Sequence, residues 1–156
     1  LGNTAPMATR VVWAAVDFSR DDLGAELQRH GHDPARPTLW LWEGVTMYLP
    51  PAAQRATLDT LARRSAPGSW LALSYMTPQI LPGGKLARVL AERVFNAIGE
   101  PLVGALTRTQ LRALLADAGF DVAGDSANPQ WATRFGGSST KALLFRGERV
   151  AIAQRA

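Results

Sequence analysis

The sequence contains no cysteine, and only two histidines and two lysines, in 156 residues. Without thiols the chain can form neither a disulfide nor a thiolate metal site. His30 and His32 sit two apart in a polar, turn-like stretch and are too few to hold a metal by themselves. No apolar run reaches the roughly 18 residues of a membrane-spanning helix. Charge of one sign is nowhere concentrated either. The formal +4 comes from scattered arginines, and the pair Arg63-Arg64 falls on the exposed side of a helix. No Lys/Arg run is interleaved with aromatics, which argues against a nucleic-acid surface. Internal repeats and low-complexity tracts are also missing. The opening "LGNTAPMATR" lacks the signal-peptide order of charge, apolar core and cleavage site, so a cytoplasmic protein is expected.

What is present has an ordinary globular balance, 47% apolar and 19% charged residues. A chain of this size makes about one domain and buries roughly two thirds of its unfolded surface. "RVVWAAVDF" (Arg10 to Phe18) is β-branched and apolar and ends in an acid, which predicts a buried strand. In "SRDDLGAELQRHG", Asp21 and Asp22 suit a helix start, Leu23 and Leu27 lie four apart, and Gly31 can end the helix. "DPARP" is a loop and "TLWLWE" a second strand. "AAQRATLDTLARRSA" places Ala53, Ala56, Leu58 and Leu61 near one helical face. After the turn "PGS", "WLALSYM" (Trp70 to Met76) is a third strand. This β-α-β-α-β order with short loops predicts an α/β sheet with parallel strands.

The next section changes character. "TPQILPGG" is a Pro/Gly-rich excursion, and "KLARVLAERVFNAIG" is amphipathic through Leu86, Val89, Leu90, Val94 and Ile98. A further helix follows, with Thr107 as its cap and Gly119 as its stop. "FDVAGD" is a short strand. "TKALLFRGERVAIAQRA" supplies a last strand, or two with a turn at Arg146-Gly147. Residues 1–156 are thus expected to form one α/β domain, with residues 77–107 as a helical insertion.

Ligands of open α/β sheets bind beyond the carboxyl ends of the strands. Three strands end there in polar groups: Asp17, Glu43, and Ser74 with Tyr75. A carboxylate after a buried strand needs a partner, because its desolvation costs several kcal/mol. Asp17 and Glu43 therefore either cap helices and pair with arginines, or face a ligand. Other candidates are poorer. "PGG" at Pro82 to Gly84 lacks the G-x-G-x-x-G spacing of a phosphate loop and reads as an ordinary loop. His30 and His32 could serve as a base, but a solvated pair at a helix end explains them more simply. No G-x-S-x-G elbow surrounds Ser138, Ser139 and Thr140. Trp13, Trp40, Trp42 and Trp70 fit a core, Trp42 with the option of bordering a ligand. Trp131 lies in the expected loop "NPQWATRFGG", facing core or substrate.

"VDFSRDDLGAEL", "PTLWLWEGVTMYLPPAAQRATLDTLARRSAPGSWLALSY" and "GEPLVGALTRTQLRALLADAGFDV" together resemble the leucine carboxyl methyltransferase family, whose bacterial members are often described as polyketide-type O-methyltransferases. The resemblance runs from about Arg10 to Val122, and "EGVTMYL" is its most specific block. It implies a Rossmann-like class I methyltransferase sheet and S-adenosylmethionine as cofactor, with a carboxylate or hydroxyl oxygen of a small molecule as methyl acceptor. It further implies that Asp17 accepts from the adenine amino group and Phe18 packs near the ring. Glu43 would lie near the cationic methionine portion, Gly44 would let the backbone pass close to it, and Tyr48 and Leu49 would begin the next helix. No general base is implied, and no metal.

Family members are longer than this chain. The glycine-rich cofactor loop, the first two strands and an N-terminal region with a basic cofactor contact have no counterpart in this sequence. The expected sheet is therefore incomplete. In the family's strand order, 3-2-1-4-5-7-6, the Arg10 to Phe18 strand is left without neighbours. Three arrangements would satisfy this: a piece of a longer protein, a shortened homologue in which "VVWAAV" pairs directly with "TLWLWE", or a sheet completed by a second copy. The chain alone is expected to bind the cofactor weakly or not at all. The competing expectation is a non-catalytic scaffold that associates through "LARVLAERVFNAI". A third is cofactor-independent chemistry on the same fold, such as a cyclisation.

Overall fold

The computed structural model describes residues 8–78, 101–137 and 147–156, with residues 89, 93, 95–97 and 99 between the first two stretches. Of the expected helix over Leu86 to Ile98, residues 89, 93 and 95–97 are described and are helical, and the rest lies outside the described residues. So do "PGG", Ser138 to Thr140 and the "TKALLF" part of the last strand.

Among the described residues, regular structure begins with α1 (Leu23–Arg29), where Asp22 caps the N-terminus by accepting from the Ala25 amide at 3.1 Å. The strand β1 (Leu39–Trp42) follows, then a single 3₁₀ turn (Thr46–Tyr48). Pro51, whose missing N–H costs nothing at a helix start, opens α2 (Pro51–Arg63). β2 (Trp70–Met76) comes next, and the next helix described throughout is α3 (Arg108–Asp117). Here Thr107 and Gln110 form the capping box that the sequence suggested through Thr107. Gly119 ends α3 at φ +77°, where a Cβ would collide with the Arg155 guanidinium. The chain finishes with β3 (Phe120–Ala127), α4 (Asn128–Phe135) and β4 (Glu148–Arg155).

The four strands form one sheet in the order β1-β2-β4-β3. β1 and β2 are parallel, with Leu39 opposite Trp70 and Trp42 opposite Leu73. β4 enters antiparallel between β2 and β3, so the sheet is mixed and not wholly parallel. One face is closed. Leu71, Leu73 and Tyr75 of β2, Ala151 and Ala153 of β4 and Phe120 of β3 pack there against Leu58 and Leu61 of α2 and Leu111 and Leu115 of α3. Each buried leucine or phenylalanine there contributes on the order of 1.5–3 kcal/mol by leaving water. The other face is open. The register puts Leu39, Leu41, Trp70 and Ile152 together on it, and Leu39 and Leu41 are 74% and 72% exposed.

Three expectations are corrected. Arg10 to Phe18 is not a buried strand. Residues 10–17 run without a strand partner, Phe18 lies in a turn, and Trp13 is 89% exposed. Strands are made by ladder bonds to a neighbour, and among the described residues β2 is the sole strand beside β1, so "VVWAAV" does not pair with "TLWLWE". "FDVAGD" extends to Ala127, with a bulge between Val122 and Gly124. "NPQWATRF" is the helix α4 and not a loop.

Candidate functional site

β1 and β2 run parallel, so their carboxyl ends lie on the same edge of the sheet. Glu43 follows β1 directly. Gly44 then turns at φ +72°, a left-handed conformation that glycine adopts without penalty. The Gly44 amide donates to Ser74 Oγ at 2.7 Å, and Thr46 Oγ1 donates to the Ser74 carbonyl at 2.6 Å. Buried Ser74 thus fixes the turn after β1 to the end of β2. Glu43 itself is exposed and makes no ion pair or hydrogen bond among the described residues. For this acid, capping and arginine pairing do not account for its place.

Asp17 behaves differently. Its carboxylate accepts from the Ser19 amide at 2.9 Å and lies 3.8 Å from Arg20. It is half-exposed and held by its own turn. The next residue, Phe18, stacks on Trp42 with ring centroids 6.3 Å apart. That contact brings Asp17 and Phe18 to the end of β1 beside Glu43 and Gly44. All four residues singled out from the sequence therefore meet at one edge. Trp42 adds a fifth feature: it is 6% exposed, yet its indole Nε1 has no hydrogen-bond partner. Buried donors of this kind carry a desolvation cost.

The histidines lie elsewhere. His32 packs against Trp40, centroids 4.9 Å apart, and its Nε2 is 3.2 Å from Thr38 Oγ1. Thr38 precedes β1, so the length of the strand, about 13 Å, separates His32 from the Glu43 edge. Burial, and then the Arg64 charge, hold its pKa below the usual histidine value. His30 sits 3.7 Å from Glu26 on α1. Neither faces the site. Trp131 donates to Ser126 Oγ at 2.7 Å and is tied to β3. A groove of about 440 Å³ between residues 10–16 and α1, lined by Val12, Val16, Leu23 and Leu27, marks where the unpaired segment leaves the helix incompletely covered.

Sequence reading missed a charged cluster on the closed face. Tyr75 donates to Asp125 at 3.1 Å, and Arg149 Nε lies 2.8 Å from Asp125 and 3.0 Å from the Tyr75 hydroxyl. Arg108 Nε reaches the other Asp125 oxygen at 2.9 Å. Burial alone would raise the Asp125 pKa. The hydrogen bonds and charges of Arg149 and Arg108 outweigh it and hold the carboxyl below its ordinary value. Burial, and then the Asp125 charge, push the Tyr75 hydroxyl up. The polar residues Tyr75 and Arg149 interrupting two apolar strands were the signal available in the sequence.

With this geometry in place, the chain can be set beside known proteins. Residues 2–62 match the leucine carboxyl methyltransferase family. A "Putative S-adenosyl-L-methionine-dependent methyltransferase" of Mycolicibacterium gilvum is 41% identical over 121 residues, which is 75% of this chain and 39% of that protein. One of the same name from Mycolicibacterium paratuberculosis is 53% identical over 79 residues, 51% of this chain and 24% of that protein. The chain spans well under half the length of these relatives. Among solved structures, a DUF574 family protein from Streptomyces avermitilis superposes with a TM-score of 0.60 at 19% identity, covering 82% of this chain and 48% of that one. Human N-acetylserotonin methyltransferase, in complex with SAM, gives 0.53 at 15% identity over 92% and 33%. These two likenesses show a shared α/β fold.

Proposed function

We propose, from the match of residues 2–62 to the leucine carboxyl methyltransferase family, that the chain forms the Glu43 side of an S-adenosylmethionine-dependent O-methyltransferase site. The observation that carries this is the unpaired, exposed Glu43 carboxylate at the end of β1, on a turn fixed by Gly44 and Ser74. The residues fit the cofactor chemically. Glu43 offers a negative charge to an ammonium or sulfonium, and such charge-assisted contacts are about twice as strong as neutral ones. Phe18, backed by Trp42, offers a flat apolar surface to adenine. Asp17, next to Phe18, would be the group to accept from the adenine amino group. When bound, the cofactor supplies a methyl group on a positively charged sulfur. The protein's part is to orient that group, with Gly44 allowing close backbone approach and Ser74 holding the turn still.

The acceptor we assign is a carboxylate or hydroxyl oxygen of a small molecule, delivered from the side of residues 77–107. That section leaves the sheet at Met76 and rejoins it where the Leu106 amide donates to the Met76 carbonyl at 2.9 Å. Amide chemical shifts of the 156-residue chain, titrated with S-adenosylmethionine to millimolar concentration, test the reading. Phe18, Glu43 and Gly44 are expected to shift together, with an apparent Kd weaker than micromolar. Glu43→Gln is expected to weaken the response about ten-fold, equivalent to ~1.4 kcal/mol. Shifts confined to residues away from the Glu43 edge would reject it. A second reading, a non-catalytic module that acts by association, has the open face with Leu39, Leu41, Trp70 and Ile152 in its favour. Light scattering decides that point: concentration-dependent mass that Leu41→Lys abolishes supports it.

A further inference from the structure

Gln54 lies in the first turn of α2 and is 1% exposed. Its Nε2 donates to two main-chain carbonyls at once, Thr46 and Gly104, each at 2.8 Å. These carbonyls belong to separate parts of the chain. Thr46 is in the turn that begins at Glu43. Gly104 is in the segment returning from residues 77–103. The Gly104 amide completes the contact by donating to the Met47 carbonyl at 2.9 Å. Both polar groups of Gly104 are therefore held by the 46–54 region. A side chain at 104 is excluded, because a Cβ would collide with the Leu49 and Thr46 carbonyls and with Gln54 Nε2. Gln54 Oε1 is buried and has no hydrogen-bond partner among the described residues. Leaving an acceptor unsatisfied is unfavourable, so the residue's amide has a use that an apolar side chain at this buried place would not have.

We infer that Gln54 is a positioning residue that couples the Glu43 turn to the returning segment at Gly104, so that neither moves without the other. The inference rests on the methyltransferase reading for its meaning, since these two segments would then carry the cofactor side and the acceptor side of one site. Through Thr46, Ser74 and Gly44 the chain of hydrogen bonds is continuous from Gln54 to the residue next to Glu43. The two sides of the site would share one mechanical unit, set by a single amide group.

Amide hydrogen exchange on the 156-residue chain tests the coupling without any ligand. In the wild type, the Tyr48, Leu49, Gly104 and Leu106 amides should open as one unit, with the same dependence on added denaturant and apart from Leu71 to Tyr75 of β2. Different denaturant dependences for Tyr48 and Gly104 would overturn the inference. Gln54→Leu should raise exchange at all four amides about ten-fold while leaving β2 within about two-fold. A merely structural role would raise β2 equally, as Leu58→Ala should. Adding S-adenosylmethionine then separates the two claims. If the wild type responds only at residues away from Glu43, the methyltransferase reading fails and the coupling stands on exchange alone. If it responds at Glu43, Gln54→Leu should blunt that shift.

Discussion

Two stretches of this chain are written in nearly the same alphabet. "VVWAAV" and "WLALSYM" are both apolar, both carry tryptophan, and both are followed by polar residues. The second is β2, hydrogen-bonded on both sides, with Leu71 and Leu73 fully buried. The first has no strand partner among the described residues, and its Val11, Val12 and Trp13 are exposed. Strand propensity is a statement about fitting a pleated, half-buried surface. Where no neighbour supplies that surface, the same composition gives no strand.

The comparison can be broken most directly at β2. Leu73→Ala opens a cavity between the sheet and its covering helices and should cost about 3–5 kcal/mol by urea unfolding. A cost under about 1 kcal/mol would show that the closed face is not the core. Next in size is the cluster behind Tyr75. Asp125→Asn leaves Arg149 buried without its counter-ion and should cost about 3 kcal/mol. Asp125 has a folded pKa below its unfolded value of 3.8. Its contribution is therefore complete above that pH and is lost as the pH falls through the folded value. The acid limb of the wild-type stability curve should flatten in Asp125→Asn. An unchanged limb would mean that other carboxylates govern it. The smallest effect is at the contrasting segment, where Trp13→Ala should change stability by less than about 0.5 kcal/mol. A larger loss would show that residues 10–17 are packed in solution.

The same contrast explains how far the sequence could be read. Helix α2, β1, β2 and the Thr107 cap were legible because each is written in local periodicity or in a capping residue. Glu43 and Gly44 were legible for a related reason: an acid and a glycine closing an apolar run is a local pattern. The helix α4 was not, since Asn128 and Pro129 read as a loop although proline is welcome in a first helical turn. The position of β4 between β2 and β3 was also out of reach, because it is a choice of partner across more than 70 residues. Tyr75, Asp125 and Arg149 meet only because of that choice. Asp17 was legible as a candidate, yet its turn engages it more fully than its place after an apolar run suggested.

That placement of β4 has a consequence for how the protein is made. β2 is complete once Met76 has been added, but the strand that covers its second edge begins at Glu148. Throughout the intervening synthesis the nascent chain carries a β1–β2 ribbon with one side of Leu71, Leu73 and Tyr75 unsealed. Unpaired apolar edges of this kind are where growing chains stick to one another. The helices α2 and α3 can shield one face early. The ladder itself closes only when residues 148–155 arrive.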